Sequence, residues 1–261
     1  TTTEMVAGLR KPDDGRICVL GLDMAGHADA LKQRIGVQLQ TTSLYQKLTV
    51  REIVALFASF FEKPLPVDDV IAQVDLEEKA ATRSKQLSGG QKQRLAVAIA
   101  LIGDPELVFL DEPTTGLDPQ ARRHMWELID RLRQTGRTVF LTTHFMEEAE
   151  RLCDEVAIMD RGRIIAQGAP RTLIDEQFGY TAIAFPAPQH ALSDYLRLLP
   201  AVVDVQEEQG DIVLYSTSVP DTIGALTQAA TERHFSLDGL QVRQLTLEDV
   251  FLKLTGRSIR E

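Results

Sequence analysis

Two cysteines in 261 residues, Cys18 and Cys153, are too few and too far apart to staple a fold. Disulfide scaffolds are short and cysteine-dense, so both thiols are expected to stay reduced in a cytoplasmic protein. No cluster of Cys and His has metal-ligand spacing. No apolar stretch approaches the ~20 residues that span a bilayer; the longest runs, 95–102 and 107–110, have the length of core segments. Residues 1–9 lack a basic region leading into an apolar one, so no secretory leader is expected. A basic surplus is missing too: 28 Lys and Arg against 38 Asp and Glu leave a net charge of -10. That argues against a nucleic-acid partner, whose phosphates would need clustered cations. Internal repeats and low-complexity linkers are also absent.

What is present is an ordinary globular composition. Hydrophobic residues at 44% can fill a sizeable core, and the length suits one large domain or an ordinary one with a small companion. Short apolar runs alternate with helical patterns, which predicts an α/β core with a largely parallel sheet. Residues 107–110 and Thr138–Thr142 are expected as buried strands. Between them Pro119–Gln134 is expected as a helix, with Asp118 as its N-cap, Pro119 at its first position and Gly136 ending it. Residues 35–39 look like a strand, and 48–61 have the apolar spacing of a helix. Segments 155–159 and 163–167 flank Asp160-Arg161-Gly162 as a hairpin, and helical character resumes over 170–178. The pattern changes after Gly179. Strand, helix, strand, strand, helix, strand are expected over 180–185, 189–199, 202–206, 211–215, 220–233 and 240–245, with a turn at Gln209-Gly210 and a closing helix over 247–254. That order matches a split βαβ module.

Four places carry chemistry. Residues 107–113, LVFLDEP, end an apolar strand in two consecutive carboxylates, Asp111 and Glu112. Consecutive strand residues face opposite ways, so the two are expected to divide their work. One can orient Mg²⁺ and the other an attacking water, as phosphoryl transfer requires; taken alone, the stretch reads equally as an acidic strand end. Leu87-Ser88-Gly89-Gly90-Gln91 opens a helix with paired glycines, where backbone N–H groups can approach an anion; a plain Gly-rich helix entry is the alternative. Thr142-Thr143-His144 ends the second strand, where parallel sheets bind ligands. Gln40 follows residues 35–39 and by itself reads as a solvated loop residue.

In this order, LSGGQ, LVFLDEP, Thr115-Gly116-Leu117-Asp118 and Thr142-Thr143-His144 closely resemble the ABC (ATP-binding cassette) ATPase family, at motif level over residues 1–178. The resemblance implies a P-loop NTPase-type ABC ATPase core over 1–179 with a helical subdomain at about 45–95, and a small α+β accessory domain over 180–261. It implies that Asp111 organises Mg²⁺, that Glu112 is the catalytic carboxylate, that His144 contacts the γ-phosphate and that Gln40 meets Mg²⁺ or the water and reports to a membrane partner. Asp118 would join two subunits. Ser88, Gly89, Gly90 and Gln91 would bind the ATP held by the opposite subunit, so a homodimer with two sandwiched ATP molecules is expected.

One family element is missing from the 261 residues: the Gly-rich GxxGxGK loop followed by Ser or Thr, which would precede Thr1. Thr1 would then be the next hydroxyl along, near the α-phosphate, and the chain as it stands is expected to bind ATP poorly. A single cassette, acidic charge and no long coiled-coil insertion between Gln40 and Leu87 favour a transport motor over non-transport relatives. The segment between Gln40 and the LSGGQ signature, including residues 48–52, would receive the integral membrane permease at the cytoplasmic face, although 48–61 reads equally as a core-packing helix. Residues 247–257 resemble the tail of the daunorubicin exporter-like group of drug and antibiotic exporters, as do 22–27 and 145–150, although 247–254 is equally an amphipathic docking helix. Export of drugs, antibiotics or lipid-like solutes is therefore expected, with a non-transport ATPase regulating an envelope complex as the competing reading.

Overall fold

The structure is a computed structural model and describes residues 2–40, 44–187, 193–208 and 210–255. Thr1 lies outside the described residues. So do residues 188–192 of the expected 189–199 helix, Gln209 of the expected turn, and Gly256 and Arg257 of the C-terminal segment. The chain forms two compact units, Thr1–Glu148 and Ala149–Glu261. Among the described residues, no helix is long and apolar enough to cross a membrane.

In chain order, the first unit comprises α1 (Thr2–Val6), β1 (Cys18–Val19), β2 (Leu22–Asp23), α2 (Met24–Lys32), β3 (Ile35–Gln38), α3 (Val50–Ala58), α4 (Val67–Gln73), α5 (Gly89–Leu101), β4 (Leu107–Asp111), α6 (Pro119–Gln134) and β5 (Thr138–Thr142). Strands β3, β4 and β5 form a parallel sheet in that order. Ile35 pairs with Leu107 and Leu107 with Thr138, which puts Asp111 opposite Thr142. The Arg34 guanidinium grips both oxygens of Glu106 at 2.6 and 2.9 Å, clamping the starts of β3 and β4. That bond holds the Glu106 carboxyl below the usual carboxylate range. The clamp's contribution is therefore complete above the unfolded carboxyl pKa and is lost as pH falls through the depressed folded value.

Strand β4 is the centre of the sheet, with Val108, Phe109 and Leu110 fully buried. Strand β5 differs from its expected burial: Phe140 is 41% exposed and Thr138 is exposed. The reason is position, since β5 pairs with β4 on one side and, among the described residues, with nothing on the other. Helix α5 crosses β3 so closely that a Cβ on Gly36 would sit 2.1 Å from the carbonyl oxygen of Ala100.

The helical segment between β3 and α5 is narrower than its apolar pattern. Its first helix is α3, opened at Thr49 by a reciprocal bond with Glu52. Val50, Ile53 and Val54 of α3 and Val70 of α4 are fully buried. The left-handed Asp75, at φ 54°, ends this layer. Arg94 Nη1 donates to its carbonyl at 2.9 Å, and Arg131 Nη2 to its carboxylate at 2.8 Å.

The unit boundary falls within α7 (Met146–Leu152). Beyond it come β6 (Val156–Asp160), β7 (Arg163–Gly168), α8 (Pro170–Gln177), β8 (Thr181–Pro186), α9 (Ser193–Leu196), β9 (Val202–Glu208), β10 (Asp211–Ser216), α10 (Val219–Arg233), β11 (Gln241–Arg243) and α11 (Leu247–Thr255). Strands β6 and β7 are the expected hairpin. The antiparallel sheet ordered β11-β8-β10-β9 is a split βαβ arrangement. Its compact unit begins about thirty residues before the change at Gly179. The cause is shared burial: Ile158 of the hairpin and Phe178 lie in one apolar cluster with Ala182, Val213, Tyr215 and Val250. A second cluster on Ile183, Phe185, Leu214 and Leu226 packs α9 and α10.

Replacing Gly36 with Ala is expected to destabilise the protein by about 3 kcal/mol, because neither backbone can retreat from the added methyl. The check is the urea midpoint at unchanged slope; a parental midpoint would mean that α5 does not approach β3 this closely.

Candidate functional site

Buried apolar residues carry β4 to the C-terminal end of the sheet, where Asp111 is the last strand residue. Glu112 then leaves the strand with φ 47°, a left-handed conformation rarely held by a non-glycine residue. The two carboxylates do part in space, but not for the expected reason. They separate because the chain turns between them, not because a pleat alternates. The turn is closed by the amide of Thr115 donating to the Glu112 carbonyl at 3.2 Å. The amide of Glu112 is pinned in turn by the carbonyl and the Oγ1 of Thr142, both at 3.1 Å. The Thr142 hydroxyl donates to Oδ1 of Asp111. One β5 hydroxyl therefore fixes both carboxylate residues of β4's end.

Three of the residues singled out in the sequence meet at a single atom. Oε2 of Glu112 accepts from Gln40 Nε2 at 2.9 Å, and His144 Nδ1 lies 3.5 Å away. Gln40, read alone as a solvated residue, is exposed yet bonded across the sheet end. Thr115 Oγ1 donates to the same oxygen at 3.0 Å. Behind His144, the Phe145 ring packs at 4.1 Å between centroids, and the Arg122 guanidinium covers Phe145 at 4.3 Å. Thr143 Oγ1 accepts from the Phe145 amide at 2.9 Å, holding the turn after β5. Gln38, buried beside this group, donates to the Asp111 carbonyl at 3.4 Å while its own Oε1 has no partner among the described residues.

The remaining predicted residues stand apart. Ser88 caps α5 by a reciprocal bond: its Oγ accepts from the Gln91 amide at 3.3 Å and its amide donates to Gln91 Oε1 at 3.0 Å. The glycines are not equivalent. A Cβ at Gly90 would meet the Ala121 side chain of α6 at 3.0 Å, whereas Gly89 has nothing within 4 Å. Gly90 thus serves helix packing, and Gly89 alone leaves backbone open to an approaching group. Asp118 caps α6, accepting from the amides of Gln120 and Ala121 at 2.9 and 2.8 Å. Among the described residues, no hydrogen bond or ion pair joins either cap to the Glu112 cluster.

Thr115 and Thr142 were not singled out for chemistry in the sequence, nor were Gln38, Arg122 and Phe145. The two threonines lie inside the recognised stretches, but a hydroxyl three residues from Glu112 or 31 from Asp111 signals nothing until the turn and the strand pairing bring it back.

As for a metal, no group of three or more His, Cys, Asp or Glu side chains able to hold one occurs among the described residues. Asp111, with one oxygen held by Thr142 and the other without a hydrogen-bond partner among the described residues, would offer one hard oxygen ligand. Magnesium bound through one or two protein oxygens, phosphates and water fits that donor set.

The ABC transporter family model matches residues 1–115. Nod factor export ATP-binding protein I of Ralstonia nicotianae is 39% identical over 268 residues, covering all of this chain and 83% of that protein. Its namesake in Burkholderia lata is 40% identical, covering all of this chain and 85% of that protein. Among solved structures, a dimeric post-hydrolysis ATP-binding cassette bound to ADP and Pi matches with a TM-score of 0.57 and 25% identity, over 64% of this chain and 78% of that one. The ATP-binding subunit of an ABC transporter matches with the same TM-score and 30% identity, over 68% of this chain and 76% of that one.

The capping geometry makes a separable prediction for Asp118. Asp118→Ala should lower stability by about 1 kcal/mol, and Asp118→Asn, which keeps an acceptor oxygen, by much less. Thermal unfolding of both variants checks it; equal losses would show that the side-chain cap is not what holds α6.

Proposed function

This chain belongs to the ABC transporter family of ATP-binding cassettes, which are ATPases with the α/β cassette fold, and within that family we propose that it is the motor subunit of an exporter. The observation that carries the reading is the convergence of Gln40, His144 and Glu112 on one carboxylate oxygen at the C-terminal end of a parallel sheet, with Asp111 beside it. Export over import is supported by the names of the relatives. A solute of drug, antibiotic or lipid-like character is suggested by the resemblance of residues 247–257 to the tails of daunorubicin exporter-like ATPases, and the segment between Gln40 and Leu87, including residues 48–52, would meet the permease on the cytoplasmic face of the membrane.

In this mechanism ATP is the substrate. Asp111, with the carbonyl oxygen of Gln40, would hold Mg²⁺, which when bound offsets charge on the phosphate oxygens. Glu112 accepts a hydrogen bond from water and takes its proton as the water oxygen attacks the γ-phosphorus in line. The bond from that phosphorus to the β–γ bridging oxygen breaks, leaving ADP and inorganic phosphate. His144 donates to the γ-phosphoryl oxygens as charge builds there, and the Phe145–Arg122 stack keeps its ring from swinging away. Gly89 and Ser88 of a second copy would cover the nucleotide. The N-terminus of the capped α5 presents free amides there, and the hydroxyl of Ser88, whose oxygen accepts within the cap, still has its proton to give. Two copies would thus close on two ATP molecules, with no nucleic acid involved.

Glu112→Gln in the full-length protein should keep ATP binding and reduce turnover by at least about a thousandfold. Its mass in solution should rise from monomer to dimer on adding ATP. Hydrolysis at the parental rate would remove Glu112 from the catalytic role. A monomer with ATP bound would remove the sandwich.

A further inference from the structure

We propose that Thr115 is a positioning residue for ATP hydrolysis: with Gln40 it commits Oε2 of Glu112 to hydrogen bonds within the protein, so that Oε1 is the oxygen that takes the proton of the attacking water. This rests on Glu112 being the base.

All three groups near the Glu112 carboxylate address the same atom. Gln40 Nε2 and Thr115 Oγ1 donate to Oε2 at 2.9 and 3.0 Å, and His144 Nδ1 lies 3.5 Å from it. No group among the described residues bonds Oε1. A carboxylate oxygen offers two lone pairs, so two short bonds fill Oε2 and leave the basic capacity on Oε1. The Glu112 side chain is 29% exposed, so the free oxygen is not sealed in the core.

The backbone explains why Thr115 reaches this position. Glu112 turns the chain at φ 47°, and the Thr115 amide bonds the Glu112 carbonyl across the turn. The hydroxyl three residues on therefore folds back over the carboxylate. Residue type alone does not do this: Thr114, one position earlier, is fully buried and its Oγ1 has no hydrogen-bond partner among the described residues. The β-branched side chain at 115 also has little χ1 freedom to lose, which suits it to holding one direction.

The two donors differ in tethering. Gln40 sits beyond the end of β3 on a long, exposed side chain and is free to turn toward a nucleotide or its cation. Thr115 is bound to Glu112 through both backbone and side chain and stays when Gln40 leaves. Thr115 therefore keeps the base aimed throughout the cycle.

The test uses the full-length protein with its membrane partner, in four variants: Thr115→Val, which keeps shape and loses the hydroxyl; Thr115→Ala, which cannot clash; Thr115→Ser, which restores the hydroxyl; and Glu112→Gln. Thr115→Val and Thr115→Ala should each lose at least about tenfold in kcat, with KM for ATP, equilibrium affinity for a fluorescent ATP analogue and unfolding midpoint all within about twofold or unchanged. Thr115→Ser should recover most of the loss. Parental kcat in the Val and Ala variants, an equal loss in Ser, or a loss lying in KM and affinity instead of kcat would each overturn the proposal. Glu112→Gln separates the two readings. If it is inactive while Thr115→Val is parental, the positioning role fails alone; if it hydrolyses ATP at the parental rate, the assignment of Glu112 fails with it.

Discussion

The reversal of the chain at Glu112 is the constraint on which the site depends. A glutamate at φ 47° is held against a cost of about 1 kcal/mol or more. It is held because its amide is pinned to Thr142 on one side and its carbonyl to Thr115 on the other. Both anchors require the parallel register that sets Asp111 opposite Thr142. That register requires β4 to be buried along Val108, Phe109 and Leu110, with the Arg34–Glu106 clamp at its start. Core packing and the geometry of the candidate site are one structure here: a slip of β4 against β5 would separate the hydroxyl of Thr142 from both carboxylate residues.

The two helix entries use capping for different ends. Asp118 commits one carboxylate oxygen to two α6 amides and so fixes where α6 begins after the turn that precedes it. Ser88 and Gln91 satisfy each other across the first turn of α5, and Gly90 lets α5 lie against Ala121 of α6. Gly89 is left with open space. The five-residue stretch thus divides into groups that stabilise a helix start and one position where backbone is available.

The second unit shows how a boundary is drawn by burial. The hairpin β6–β7 and helix α8 continue the chain directly from α7. Yet Ile158 and Phe178 bury their side chains with Ala182, Val213, Tyr215 and Val250 of the split βαβ sheet. An apolar residue joins whichever core removes it from water, and no local pattern states which core that is.

Much was legible in the sequence because local rules act over short distances. Pro119–Gln134 and its Asp118 cap follow from capping and proline chemistry within a few residues. The alternation of apolar runs indicated the α/β class and the order of the C-terminal module, and the resemblance of the recognised stretches to the ABC ATPase family pointed to Asp111, Glu112 and His144 together. The roles of Thr115 and Thr142, the use of Gln40 as a partner of Glu112, the exposure of Phe140 and the boundary at Ala149 were decided by tertiary structure alone. Each depends on which strand lies beside which, and on a backbone reversal that brings residues 3, 31 or 72 positions apart within hydrogen-bond reach. Sequence records the donors and acceptors; only the fold sets the distances between them, and hydrogen bonds act only at those distances.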